Sequence, residues 1–220
     1  MIPPSSYPPN SPSLSTIPLS SSSLSSSLDP NPSQHNTHAW STHPKILITA
    51  LNGPCVGLSA ALTAHSDFIY AAPHTYLLTP FSSLGLVTEG LAAHALVRRM
   101  GPSKANEALL MSRKIVAEDL LRTGYVNAIF TEGGGDKDSG KGMDSKKFLE
   151  RVVAEVNEKL GDHLVKESLL GIKAVIKQGD VEKESGVAVR EVLAGLDRFV
   201  SGIPQREFEK IRKGEKRHKL

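Results

Sequence analysis

Three observations predict an α/β fold with a helical C-terminal section. Short apolar runs of strand type recur as KILITAL (45–51), DFIYAA (67–72) and YVNAIF (125–130). Stretches of helical character lie between them, bounded by Gly, Pro and Asn. Over the last 75 residues apolar positions recur at helical spacing with charged residues between them. Strand and helix alternate first and helices follow, which is the α/β pattern.

In chain order, KILITAL ends at the breaker Asn52-Gly53-Pro54. GLSAALTAH (57–65) is rich in small residues and apolar on most sides, so a helix packed inside the core is expected. DFIYAA follows as a strand. Ser103 is expected to cap a helix running to about Arg113. Another helix begins near Ala117, stops at Gly124 and feeds YVNAIF. After a glycine-rich loop, Leu149, Val152, Val153, Val156 and Leu160 mark the inner face of a helix. Val189, Val192, Leu193, Leu196, Phe199 and Val200 mark a second.

Residues 1–42 read differently. They hold fourteen Ser, eight Pro, no Lys or Arg and one acid, Asp29. Such a composition buries too little apolar surface to offset the entropy of ordering, so disorder is expected. It lacks the basic start and apolar stretch of a secretory signal, and the Arg of a mitochondrial presequence. The domain reading is therefore a disordered segment (1–42), an α/β core (43–144), a helical section (145–217) and a short tail (218–220).

Composition excludes several classes. No apolar run reaches the roughly 18 residues of a membrane span. One cysteine, Cys55, rules out an internal disulfide framework and a multi-cysteine zinc site. Aromatic content of 5% argues against a base-stacking nucleic-acid platform. Residues 206–220 carry seven Lys/Arg against three Glu, so the formal charge of +3 is concentrated in a basic tail.

GGGDKDSGKG (133–142) approaches a phosphate-binding loop through Gly135, Gly140 and Lys141. Gly142, however, replaces the hydroxyl residue that would hold Mg²⁺. A flexible solvated loop has the same composition. His65, His74, His94 and His163 lack metal-ligand spacing, so no metal is expected. Cys55 reads as a small packed side chain.

Residues 45–90 carry the chemistry. Residues 52–58 form a strand-to-helix turn, whose first N–H groups at Gly57 and Leu58 would point out of a buried helix toward a developing oxyanion. Glu89 lies in the largely apolar GLVTEG (85–90), where a carboxylate moves toward a useful general base. A Glu there also suits a helix start, so both readings stand.

The runs HPKILITALNGPCVGLSAALTAHSDFIYA, TYLLTPFSSLGLVTEG and RRMGPSKANEALLMSRKIVAEDLLRTGYVNAIF resemble the enoyl-CoA hydratase/isomerase (crotonase) superfamily, particularly its peroxisomal Δ3,Δ2-enoyl-CoA isomerases. The tail GIPQREFEKIRKGEKRHKL is similar too. The resemblance covers about residues 43–220. It implies a crotonase-like ββα spiral core, truncated at its N-terminus, with Leu58 N–H as one of two oxyanion donors and Glu89 as the isomerase base. Hydratases of the superfamily hold water with two glutamates; the matching positions are Ala61 and Phe81. That favours an isomerase shifting a 3-enoyl-CoA to the 2-trans isomer in fatty-acid β-oxidation, with Phe81 and Leu86 among the acyl-lining residues.

The resemblance also implies an acyl-CoA substrate, no cofactor beyond the CoA of the substrate, and a homo-trimer or hexamer. His218-Lys219-Leu220 varies the S-K-L pattern, which implies a peroxisomal import receptor and a peroxisomal location. Family members carry further globular sequence before KILITAL, which supplies the first oxyanion donor. Residues 1–42 offer no equivalent motif, and losing one donor costs about 10²–10³ in rate. The chain is thus expected to be an incomplete enzyme or an inactive remnant that pairs with a full homologue. Another acyl-CoA reaction remains open.

Overall fold

The computed structural model describes residues 32–131 and 144–217. Strand β1 (Ile48–Leu51), strand β2 (Cys55–Val56) and helix α2 (Leu58–Thr63) form one ββα turn, preceded by helix α1 (Pro32–Ser41). A second turn follows as β3 (Phe68–Ala71), β4 (Tyr76–Leu78) and α3 (Ala92–Leu109). The chain continues through β5 (Ile115–Val116), α4 (Ala117–Arg122) and β6 (Ala128–Ile129) to α5 (Ser145–Lys159), α6 (Lys166–Val200) and α7 (Ile203–Arg212).

Each ββα turn stacks on the one before. β3 pairs in parallel with β1, Ile48 opposite Phe68 and Leu51 opposite Ala71, and β6 pairs in parallel with β3. β4 pairs in parallel with β2, Cys55 opposite Leu77, and β5 joins β4 antiparallel. The predicted spiral is therefore visible in the register.

The β1–β3–β6 sheet is covered on both faces. Leu51, Ile69 and Ala71 face one cluster with α2, α3 and α4, while Ile48, Ala50, Tyr70 and Ala72 face another with Phe148, Val152 and Val156 of α5. Burial on both faces explains why these strands read as continuous apolar runs rather than alternating ones. Cys55 lies in the first cluster, where burial pushes its thiol up. Asp144 starts α5 by accepting from the N–H groups of Lys146 (3.0 Å) and Lys147 (3.3 Å). Asp144→Ala should cost about 1 kcal/mol, read as a lower urea midpoint with unchanged slope.

Four sequence expectations need correction. Residues 32–41 are helical although placed in the disordered stretch: Trp40, 7% exposed, packs with Leu47, Leu58 and Leu62, and one large apolar anchor outweighs the surrounding composition. The helix expected from Ser103 is the second of two helical segments of α3 that meet at Gly101 (φ 75°, ψ 161°): it starts beside the expected place, but Ser103 lies inside it rather than capping it, it ends at Leu109, and the segment 92–100 before it was not expected. Pro102 restarts the helix, because its fixed φ suits a first helical turn and its missing N–H costs nothing there. In α5 the buried row is Phe148, Val152 and Val156, while Leu149 is exposed.

The fourth correction concerns α6. Val189, Leu193, Leu196, Phe199 and Val200 are each more than half exposed. The inward stripe is charged instead, with Lys173, Asp180 and Glu184 all buried. Periodicity reveals that a helix has an apolar face but not which way it turns. Here the charged face has specific partners. Lys173 Nζ donates to Asp67 Oδ2 (2.6 Å) and Lys45 O (2.5 Å), and Asp67 Oδ2 also accepts from Leu47 N–H (2.7 Å). The GGGDKDSGKG loop and the terminal His-Lys-Leu lie outside the described residues. No helix among the described residues is long and apolar enough to cross a membrane.

Candidate active site

Gly57 makes the turn into α2. Its φ of 66° and ψ of −133° suit glycine alone, and its N–H donates to Leu78 O (2.8 Å) as the last rung between β2 and β4. Its carbonyl accepts from Ala60 and Ala61, so the first N–H groups of α2, at Leu58 and Ser59, have no intrahelical acceptor. The far end of α2 is held by Arg99, which donates to Ala64 O (2.5 Å), Ser66 O and Tyr125 O (3.1 Å). Tyr125 OH, fully buried, reaches Ala60 O (3.1 Å) and Thr63. The helix start is thus fixed from behind.

Glu89 is brought to that start by a tight turn. Gly90 (φ 70°) and Leu91 (φ 59°) are both left-handed, and α3 begins immediately after. A methyl group built on Gly90 would lie 2.9 Å from the Ala61 Cβ and 2.9 Å from a Leu58 methyl. The residue following Glu89 is therefore packed against Ala61 and the side chain of Leu58. His65 Nε2 bonds Gly90 O (2.9 Å), which pins the turn from the other side. Glu89 is partly buried, and burial raises its carboxyl above the usual carboxylate value, with the Glu191 carboxylate adding to the rise.

Of the residues named from sequence, Gly57 and Leu58 form the start of α2, and the Leu58 side chain packs against Gly90, the residue after Glu89. Leu86 packs against the main core cluster, its N–H donating to Phe81 O (2.8 Å). Phe81 is 3% exposed within that cluster, so it lies in the core rather than on a substrate-facing surface. Residues 82–89 lie beneath α6 and α7: a methyl on Gly85 would meet Ile203 Cγ2 at 2.5 Å, and one on Gly195 would touch Val87. The two best-defined cavities, of about 320 and 300 Å³, lie elsewhere, against Ala194 and Arg198 and against Tyr76 and Leu84.

Glu191 escaped sequence reasoning. Its carboxylate accepts from Leu91 N–H (2.9 Å), Ala93 N–H (3.4 Å) and the Thr88 side chain, so a residue of α6 caps α3. Its sequence separation of about 100 residues hides it from any local pattern. Thr37 of α1 was also missed; it is buried, with its hydroxyl 3.8 Å from the methyl position on Gly90.

Taken together, a half-buried helix start whose first N–H groups have no intrahelical acceptor lies beside the turn that carries Glu89, a carboxyl of raised proton affinity, and neither Ala61 nor Phe81 supplies a second carboxylate. That arrangement can stabilise an enolate oxygen and move a proton beside it.

Known proteins resemble the chain in sequence and in fold. The chain is 60% identical over 184 residues to a Delta(3,5)-Delta(2,4)-dienoyl-CoA isomerase of Pyricularia oryzae, covering 84% of this chain and 64% of the relative. It is 30% identical to a 3,2-trans-enoyl-CoA isomerase of Saccharomyces cerevisiae, covering 84% and 63%. The chain thus spans somewhat under two thirds of these curated relatives. In fold it matches the crystal structure of an enoyl-CoA hydratase/isomerase from Pseudoalteromonas atlantica with a TM-score of 0.70 at 22% identity, covering 84% and 68%. Residues 25–135 match the Enoyl-CoA hydratase/isomerase family. Since that match runs through the α2 turn, Glu89 and both stacked ββα turns, the chain belongs to the enoyl-CoA hydratase/isomerase family.

Proposed function

We propose that the chain is a double-bond isomerase of unsaturated acyl-CoA thioesters, with Glu89 as the proton-transferring group. The observation that carries this reading is the packing of Gly90, the residue next to Glu89, against Ala61 and the side chain of Leu58 at the start of α2. Glu89 takes the proton from C2 of a 3-enoyl-CoA, and the electron pair moves into a dienolate whose oxygen accepts from Leu58 N–H. The carboxylic acid so formed returns the proton at C4, giving the 2-trans-enoyl-CoA and restoring the carboxylate. No water enters the balance, and Ala61 and Phe81 offer nothing to activate one.

A second reading is the shift of a 3,5-diene to a 2,4-diene, in which the proton leaves C2 and returns at C6. The relation to the Pyricularia oryzae protein and the proximity of Glu191 favour it. Glu191, however, is occupied by three donors as a helix cap, which leaves Glu89 to work alone and favours the shorter C2-to-C4 transfer. Product analysis of the full chain with 3-hexenoyl-CoA and 3,5-octadienoyl-CoA tests both. Conversion of the monoene supports the first reading and conversion of the diene alone the second. Conversion of neither leaves a non-catalytic partner of a complete homologue.

The base works ionised, so activity is present above the raised Glu89 pKa and lost as pH falls through it. The acid limb should therefore lie above 4.5, the ordinary value for a glutamate. Glu191→Gln removes the neighbouring charge and should move that limb to lower pH, read from the pH profile of kcat/KM.

A peroxisomal role in fatty-acid β-oxidation, with homo-oligomers and an import receptor as partners, is part of the same proposal. The terminal His-Lys-Leu, the outward apolar residues of α6 and a mouse relative named enoyl-CoA delta isomerase 3, peroxisomal, support it.

A further inference from the structure

The charged face of α6 meets α3 at a cluster that isomerase chemistry does not use. Asp180 and Glu184 lie one helical turn apart on α6, 8% and 7% exposed, opposite His94 of α3. One ligand atom from each lies within 4.8 Å of the other two, and His94 Nε2 is 3.5 Å from Asp180 Oδ1. His94 Nε2 and Asp180 Oδ2 are shut off from solvent and complete no hydrogen bond among the described residues. Arg98 balances the Asp180 charge from one side, but His94 Nε2 gains no hydrogen bond from it, and a buried ring nitrogen without one is costly.

His65 adds a further lone pair. A carbonyl can only accept, so the contact with Gly90 O places the proton of the neutral ring on Nε2. Its bare Nδ1 then faces Glu184 Oε1 at 3.8 Å, acceptor against acceptor.

Two side-chain cations flank the cluster. Lys177 is turned to His65 O (3.3 Å), and Arg98 Nη1 is 2.8 Å from Asp180 Oδ2 at an angle that makes no hydrogen bond. Arg98 is nearly half exposed and can swing into water.

We propose that His94, Asp180 and Glu184 form a site for a divalent transition-metal ion of the zinc class, which clamps α6 to α3. Nitrogen and oxygen ligands at about 2.0–2.2 Å from zinc stand roughly 3.3–3.5 Å apart in a tetrahedron. The His94–Asp180 pair already has this spacing, and Glu184 closes by a movement of about 1 Å. One imidazole with two carboxylates is a borderline-to-hard set suited to zinc, with water completing the coordination. Arg98 is the counter-charge that the ion displaces.

Titrating Zn²⁺ into the chelator-treated full chain, followed by calorimetry and thermal melting, tests the proposal. One ion per chain is expected, and at a hundredfold excess over Kd the melting temperature should rise by about 5–10 °C. His94→Ala and the isosteric Asp180→Asn should each weaken binding about a hundredfold, and Asp180→Asn serves should His94→Ala not fold. Arg98→Ala, which removes the competing cation, should tighten it by about tenfold. His35 and His38 of α1 are the alternative zinc ligands, and replacing both by Ala should leave binding unchanged. No stoichiometric zinc, binding indifferent to His94, Asp180 and Arg98, or binding lost with His35 and His38 would each overturn the assignment.

Discussion

Replacing Glu89 by Gln should lower kcat for the double-bond shift by about 10²–10⁴-fold, the usual contribution of a positioned proton-transfer group. Gln keeps the size of the side chain and its place before Gly90 but has no lone pair basic enough to take the C2 proton. KM should change little, because in the proposed mechanism the thioester is held by Leu58 N–H and not by the Glu89 carboxylate. Stability should hold or rise slightly. The ionised carboxylate is disfavoured by burial and by the Glu191 charge, and the amide removes both penalties. Steady-state kinetics beside a thermal melt separates the two effects. Equal turnover by the variant would remove Glu89 from the chemistry, and a collapsed melt would make it a folding residue. Glu191 should not rescue the variant, since its oxygens are committed to Thr88, Leu91 and Ala93.

Gly90→Ala should be the most damaging small substitution near the site. The added methyl lies 2.9 Å from carbon atoms of both Ala61 and Leu58, closer than such atoms pack. The backbone there has φ of 70°, which an L side chain adopts at a cost of about 1–3 kcal/mol. Overpacking adds about 1–3 kcal/mol more, so a loss of about 2–6 kcal/mol and a melting temperature lower by roughly 5–20 °C are expected. Ala61 is fully buried and cannot retreat, so the strain falls on Leu58 or on the Glu89 turn. Either movement separates the oxyanion donor from the base. The surviving folded fraction should therefore show reduced kcat as well as reduced stability. A variant with wild-type melting would show that α2 and the turn have room that the structure denies them.

Much of the core was legible because its signals are local. KILITAL, the Asn-Gly-Pro breaker, the small residues of α2 and the Gly124 stop each act within a few residues of their sequence position. Gly57, Leu58 and Glu89 could be grouped as a candidate site only through resemblance, since spacing alone favours Glu89 as a helix-start residue. The structure reconciles those readings: α3 does begin three residues after Glu89, yet its N–H groups are capped by Glu191 instead. What stayed hidden depends on distant partners. Trp40 orders α1 through Leu47, Leu58 and Leu62, against the Ser/Pro composition before it. His94 shows no ligand spacing because the acids facing it lie on another helix, far along the chain. The direction in which α6 turns depends on Asp67, Arg98 and the first turn of α3, none of which its own periodicity encodes.

The orientation of α6 reverses the ordinary rule for which substitutions a helix tolerates. On a typical surface helix, charged positions accept almost any residue and apolar positions accept few. Here Lys173, Asp180, Glu184 and Glu191 each meet a specific partner, so even a charge-conserving exchange such as Glu191→Asp draws the carboxylate back from the N–H groups it caps. Val175, Leu193 and Val200 touch mostly solvent, so polar replacements there leave the folded chain itself nearly unchanged. A saturation scan of α6 would therefore show its strictest positions among the charged residues, in the pattern normally produced by leucines.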